Sequence, residues 1–423
     1  MIYNATIYND SWNTKKLYEL GDFSRGKSKH RPRNDPKLFD NGEYPLVQTG
    51  DIKAATLYVS KHEAAYNEFG LSQSKLWPTG TLCITIAANI AETGILAYPM
   101  CFPDSIVGFT ANQAETSEQF MHYIFTYIRQ SIQNSVSGSI QDNINIEYLK
   151  SLDFKIPEKS YQDKIVSVLS GLDEKIELNS KICSELEDMA KTLYDYWFVQ
   201  FDFPDENGEP YRTAGGEMVW NEQLKREIPK GWSPIEYSEL VDIENSSINP
   251  SSFGETVMEH YSIPAFDEDC MPTLDTADTI QSGKYRVLKE SFLVSKLNPQ
   301  FKRIWNPYCL TDNAICSTEF MVYKPKDITL RPICYAIANS NGFYNHMVSK
   351  AISSTGSRKR IQPDVSIQYS LAFPLDRFIV DRFCSHYSPI MEKIKKARLE
   401  SYELKKLRDW LLPMLMNGQA RVE

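Results

Sequence analysis

The chain has 423 residues, 42% of them hydrophobic, enough for more than one core at about 150 residues per domain. No run of about 18 apolar residues is available to span a bilayer and no N-terminal stretch has the form of a signal peptide, so a cytoplasmic protein with no membrane contact is expected. Eight Cys without CxxC spacing and six dispersed His indicate neither a disulfide framework nor a zinc site, and a net charge of −9 argues against a nucleic-acid partner only if charge is averaged over the chain.

Taken in order, residues 12 to 157 read as short strands between turn signals: "YPLVQTG", "GTLCITIA", "TGILAYPM" and "SIVGFTA" are apolar or alternating runs bounded by Gly, Pro and Asn. One helix interrupts them, because Phe120, Ile124, Tyr127, Ile128 and Ile132 recur at helical spacing. Near the start lie Arg25, Lys27, Lys29, Arg31, Arg33 and Lys37, a basic loop suited to phosphate contact. Part of it, "GDFSRGKS" at Gly21 to Ser28, satisfies the phosphate-loop pattern GxxxxGK[ST]. That pattern works only where a buried strand enters and a helix leaves, and Pro32 and Pro36 forbid a continuous helix here. An NTPase reading is therefore the minor alternative.

From Ser160 a 4,3 spacing sets in: Ile165, Leu169, Leu172, Ile176, Asn179, Cys183, Leu186, Ala190, Leu193 and Trp197. Such a seam predicts a long helix that pairs with another, with Asn179 setting register at some cost in stability. Asp173-Glu174-Lys175 has the letters of a nuclease motif but lies within this helix, where a solvated face is the expectation. Residues 201 to 231, rich in Gly, Pro and charge, read as a connector.

The second half repeats the first. Trp232 opens it as Trp12 opens the other; Pro157 and Pro374 stand 217 positions apart, and Glu174-Lys175-Ile176 and Glu392-Lys393-Ile394 stand 218 apart. "SFLVSKL" and "NAICSTEFMVYK" read as strands and "LRPICYAIANSNGFYNHMV" as one helix, followed by a second seam at Phe383, Tyr387, Ile390, Ile394, Ala397, Ser401, Leu404, Leu411 and Leu415. Each long helix would span about 60 Å, and the two seams would bury each other antiparallel so that the chain returns. Asn306-Pro307-Tyr308 is faintly like an amino-methyltransferase element, but one Pro and any FxGxG-type glycine loop are missing. Basic and polar residues recur at matching places before the strand that leads into each long helix: "SVSGSIQDNIN", with Gln141 and Asn143, and "SSTGSRKRIQP", with Arg358, Lys359 and Arg360. With Lys302 and Arg303 these side chains are of the types that read base edges or hold phosphates. The alternatives for the chain as a whole are a coiled-coil scaffold without DNA and the NTPase.

On particular segments the chain resembles the specificity subunits of type I restriction-modification enzymes. These are "SRGKSKHRP" with "YPLVQTGDI", "QDKIVSVLSGLDEKIELN" at the first helix, the connector "FDFPDENGEPY…GGEMVWNEQLKREIPKGW", "VSKLNPQFKRIW" with "AICSTEF", and "LKKLRDWLLPMLMNGQ" at the end. The resemblance implies an α+β fold with two pseudo-repeated, strand-rich target-recognition domains, residues 1–157 and 232–375. They are separated by two antiparallel coiled-coil spacer helices, residues 158–200 and 376–419, with the connector at 201–231. It implies a non-catalytic partner of double-stranded DNA, of two modification (methyltransferase) subunits and of restriction (translocase/endonuclease) subunits. S-adenosylmethionine, ATP and magnesium would then belong to those subunits, and this chain would bind no cofactor.

Overall fold

The computed structural model describes residues 2–137, 144–355 and 358–423. The chain folds as two compact units, residues 1–178 with 403–423 and residues 179–402. Each unit repeats one frame, with a few strands particular to each.

In the first unit a strand at Asn13–Lys16 pairs antiparallel with the last strand of the globular part, Asp153–Ile156. In the second, Trp232–Glu236 pairs with Ser370–Pro374, Trp232 lying opposite Pro374. Between these closing pairs each unit holds two larger sheets. The first unit has a five-stranded sheet in the order Gly21–Arg25, Ile106–Ala111, Leu82–Thr85, Thr93–Leu96, Tyr58–Val59; the second has Val241–Ile243, Phe320–Pro325, Phe292–Ser295, Ile304–Trp305. The other sheet runs Ala64–Tyr66, Tyr44–Leu46, Met100–Cys101, Leu76–Trp77 in the first unit. Its counterpart runs Thr273–Thr276, Val257–Tyr261, Ala314–Ser317, Lys284–Arg286, Ser247–Ile248. Both contain one parallel pair, Leu46 opposite Cys101 and His260 opposite Ile315, at the same place in the order. The repeat expected from spacing is thus a repeat of topology.

The central strands are buried on both faces, so they read as apolar runs without polar alternation. Leu82, Ile84, Val107 and Phe109 pack towards the helix Glu118–Ser137, where Phe120, Ile124 and Ile128 meet them. Cys83 and Ile106 point the other way, into a cluster with Trp77, Met100 and Phe102. Gly108 is required there, because a Cβ would lie 2.6 Å from the Trp77 ring. In the second unit Phe292, Val294, Met321 and Tyr323 face Ile333 and Ile337, while Leu293, Val322 and Phe320 face Trp305 and Tyr261.

The long helices run over Lys159–Tyr194 and Arg377–Met416, the first extended by a π-helical turn at Asp195–Val199. They pair antiparallel within each unit. In the first, Ile165 and Leu169 pack with Leu412, Leu415 and Met416, and Val422 returns to Tyr161. In the second, the Asn179 amide donates to Glu400 at 2.8 Å and the Cys183 thiol lies against the Ile394 carbonyl. Of the seam residues named above, Leu169, Ile176, Asn179 and Ile390 are buried, and Leu172, Leu186, Leu193, Ile394, Leu404 and Leu411 are half-buried.

Three sequence expectations need correction. The segment at residues 330–350 is two helices, Arg331–Asn339 and Asn341–Lys350, because the Ser340 hydroxyl accepts from the Phe343 amide and starts a new helix. "YPLVQTG" is a strand only at Tyr44–Leu46; Thr49–Ala54 is helical. Asp173 is not on a solvated face: it is 2% exposed, accepting from the Tyr123 hydroxyl at 2.7 Å and from the Arg408 guanidinium at 2.8 Å. The connector, for its part, carries a hairpin, Met218–Asn221 with Arg226–Pro229, and buries Phe201, Phe203 and Ile228 in the core of the second unit.

Removing one partner of a buried ion pair strands the other charge, at a cost of about 3–5 kcal/mol. Asp173→Ala should therefore lower stability by about 3 kcal/mol in denaturant titration, and Asp173→Ala combined with Arg408→Met should lose less than the two single changes added. His122, buried and held by Thr93 at 2.9 Å, has its pKa pushed down to about 3, chiefly by burial and then by Arg129 and Arg408. A folded-state pKa below the ordinary 6.5 means that stability is complete above that value and falls as the pH drops from there towards 3. His122→Gln should flatten the dependence of Tm on pH across this window.

Candidate nucleic-acid interface

In the first unit the basic segment leaves the edge strand Gly21–Arg25 and folds against its neighbours through its backbone. The Gly26 amide donates to the Ile106 carbonyl at 2.8 Å, Lys27 to Phe102 at 3.1 Å and Lys29 to Gln73 at 3.0 Å. Gly26 is needed because a Cβ would meet the Pro103 carbonyl oxygen at 2.3 Å. These amides are consumed and the next helical turn is the short Pro36–Leu38, so Gly21 to Ser28 does not form the cradle of free N–H groups that a phosphate loop requires.

The side chains of the segment divide into held and open. His30 bonds Asp35 at 2.8 Å, and this bond, with the Lys37 amide, holds the Asp35 carboxyl below its ordinary pKa. Arg31 donates to the Ser28 and His30 carbonyls, and Asp104 lies 2.6 Å from Arg33 and 3.7 Å from Arg31. Both guanidinium groups remain about half exposed, at 53% and 50%. An exposed pair of this kind is worth at most about 1 kcal/mol, so a phosphate competes easily with Asp104. Arg25 and Lys29 are exposed and Lys27 is half-buried. Gln141 and Asn143 lie outside the described residues.

In the second unit Ile352–Thr355 pairs antiparallel with Arg358–Arg360 as a two-stranded ribbon. The ribbon is clasped by Asn298: the Lys359 amide donates to its side-chain oxygen at 2.9 Å, and the Asn298 amide donates to the Lys359 carbonyl at 2.7 Å. Arg360 grips Glu319 with two nitrogens, at 2.7 and 3.1 Å, which holds the Glu319 carboxyl below its ordinary pKa. Arg360 is thus a fastener, while Arg358 and Lys359 project into solvent. Arg303 is a fastener too. It meets Asp267 with two nitrogens at 2.6 and 2.8 Å, and its side chain is 12% exposed. Lys302 donates to the Asn339 carbonyl.

The methyltransferase-like tripeptide has a structural role. Asn306 accepts from the part-buried Arg331 at 2.6 Å, and the Tyr308 amide donates to the Tyr261 hydroxyl at 2.7 Å. Among the described residues no cluster of His, Cys, Asp and Glu is placed to hold a metal ion, and no helix is long and apolar enough to cross a membrane. The Asn298 clasp and the Glu319 and Asp267 partners carry no sequence signal, because pairing across 36 to 61 positions is invisible to local pattern.

Glu319, depressed in the folded state, adds stability above its unfolded pKa and loses it as pH falls through the folded value. Arg360→Ala should return the Glu319 titration to the ordinary carboxylate range by NMR; an unchanged midpoint would mean that the pair does not form in solution.

A family model described as the type I restriction modification DNA specificity domain matches residues 9–188. The chain is 24% identical to the type I restriction enzyme MjaIX specificity subunit of Methanocaldococcus jannaschii, over 97% of this chain and 94% of that one. It is 39% identical to the HindI specificity subunit of Haemophilus influenzae over 21% of this chain and 17% of that one. Among solved structures, the type I restriction-modification system S subunit of M. genitalium superposes with a TM-score of 0.62 at 15% identity, covering 98% of this chain and 99% of that one, and so shares the fold. Residues 9–188 match the model of the type I restriction modification DNA specificity domain, and over nearly its whole length the chain is similar to a specificity subunit of a type I restriction enzyme.

Proposed function

We propose that each unit reads one half of a bipartite DNA site and that the paired long helices act as the spacer between the half-sites. The observation that carries this reading is the repeat: two units with a shared core of strands in equivalent order, each bearing a basic segment beside its edge strand or ribbon, each running into a long helix. Two similar readers on one chain suit a ligand with two separated half-sites. In the second unit a two-stranded ribbon fits the major groove, with Arg358 and Lys359 exposed on its clasped strand and Arg360 holding it in place. In the first, Arg25, Lys27, Lys29, Arg31 and Arg33 hold phosphates. Methylation and ATP-driven cleavage, with their S-adenosylmethionine, ATP and magnesium, fall to separate modification and restriction subunits in the cytoplasm. Two copies of the modification subunit would dock, one per repeat, and exposed apolar residues off the seam such as Val168, Met189 and Tyr196 are available to them.

Replacing residues 12–157 by the matching segment of a relative should change one half of the methylated sequence and leave the other, as read by methylome sequencing. Change in both halves would defeat independent reading. Within the second half-site, Arg358→Ala should cost about 1–3 kcal/mol at one base pair and relax preference there. Arg360→Ala and Glu319→Gln should each weaken binding, with the double variant no worse than either, because both act by releasing the ribbon.

A further inference from the structure

The second unit contains a cleft of about 310 Å³ where the long-helix pair meets the globular part. Four cations line it, Lys191 from the first long helix, Lys395 and Arg398 from the second, and Lys302 from the loop before Ile304–Trp305, against two carboxylates, Glu187 and Asp188. Glu187 is taken by Arg398. Among the described residues neither Lys191 nor Lys395 has an ion-pair partner; Lys395 stands 5.8 Å over the Tyr308 ring. Lys302 donates only to a neutral carbonyl, and its pKa is held below the ordinary lysine value, chiefly by burial and next by the charge of Lys191. Three elements therefore line one recess with an excess of positive charge, in a chain whose net charge is −9. Such a recess is stabilised by an anion, and a tetrahedral phosphate oxygen group is the anion that three converging ammonium groups fit without bidentate geometry.

We propose that this cleft is a sequence-independent contact for a DNA backbone phosphate, held by Lys191, Lys302 and Lys395. Because two of the three lysines stand on the long helices, the phosphate lies at the edge of the half-site next to the unread gap. The inference rests on the DNA-recognition reading above and adds to it a role for the helices beyond spacing: they hold the duplex as well as the readers.

The test uses the chain assembled with its modification subunit. Binding to a duplex carrying the methylated site and to a random duplex is measured across salt for wild type, Lys191→Ala, Lys302→Ala, Lys395→Ala and the control Lys393→Ala, whose side chain is exposed outside the cleft. Each phosphate contact contributes about 0.9 to the slope of log affinity against log salt. Each cleft variant should lower the slope by up to that amount and weaken both duplexes by the same factor, and the triple variant should remove one ethylation-interference phosphate on the gap side of a half-site. Lys393→Ala should match wild type. Slopes and interference patterns unchanged in the triple variant would overturn the proposal. So would protection of the three lysines from acetylation by ATP or tripolyphosphate but not by duplex, which would assign the cleft to a free polyphosphate. A wild-type complex that does not prefer the methylated site over random duplex would instead defeat the DNA-reading function itself, which the slope comparison does not depend on.

Discussion

Each long helix carries an apolar seam that it cannot bury alone, and the remainder of the architecture follows from how that seam is covered. About 40 residues of helix with one wet and one dry face must pair, and the antiparallel arrangement lets a single chain satisfy both seams. The pairing is then pinned by polar groups that tolerate one register only. In the first unit Arg408 and Tyr123 converge on the buried Asp173, tying both helices to the helix that backs the central sheet. In the second, Asn179 meets Glu400 and Arg398 meets Glu187. A slip along the helix would leave the buried Asp173 and Asn179 unpaired away from water, a cost that favours this register.

The same logic governs the basic segments. A cation that is to meet DNA must be exposed and yet positioned, and the structure separates these tasks between neighbours. Arg360 and Arg303 are spent on Glu319 and Asp267 and fix the local backbone, which leaves Arg358 and Lys359 extended from a fixed base. In the first unit backbone bonds to Phe102, Gln73 and Ile106 do the fixing, so that Arg25 and Lys29 remain open. The excess of acidic over basic residues in the chain is no obstacle, because what attracts phosphate is the local field within about 8 Å at physiological salt, not the net charge.

The repeat explains why two units with different loops share one frame. The closing strand pair, the central sheet and the parallel pair in the second sheet recur in equivalent order, whereas the segments that carry the basic residues differ: a loop tethered at Gly26, Lys27 and Lys29 in one unit, a ribbon in the other. Frame positions are buried on both faces and constrained by packing; the loops at their ends are constrained only by their tethers and are free to differ.

The two long helices, their antiparallel pairing, the doubling of the chain and the strand-rich character of each half were all legible in the sequence, because periodicity of apolar residues is a local signal that burial enforces directly. The absence of a phosphate loop was legible for the same reason, since Pro32 and Pro36 act on the backbone where they stand. Tertiary structure alone decided which charges are free. That Asp173 is buried although its neighbours Glu174 and Lys175 are solvated, that Arg360 is a fastener and Arg358 is not, and that Lys191 and Lys395 join Lys302 around one cleft all depend on partners 41 to 235 positions away. The fate of a charge is set by whatever group the fold brings within about 4 Å of it, and no local pattern encodes that distance.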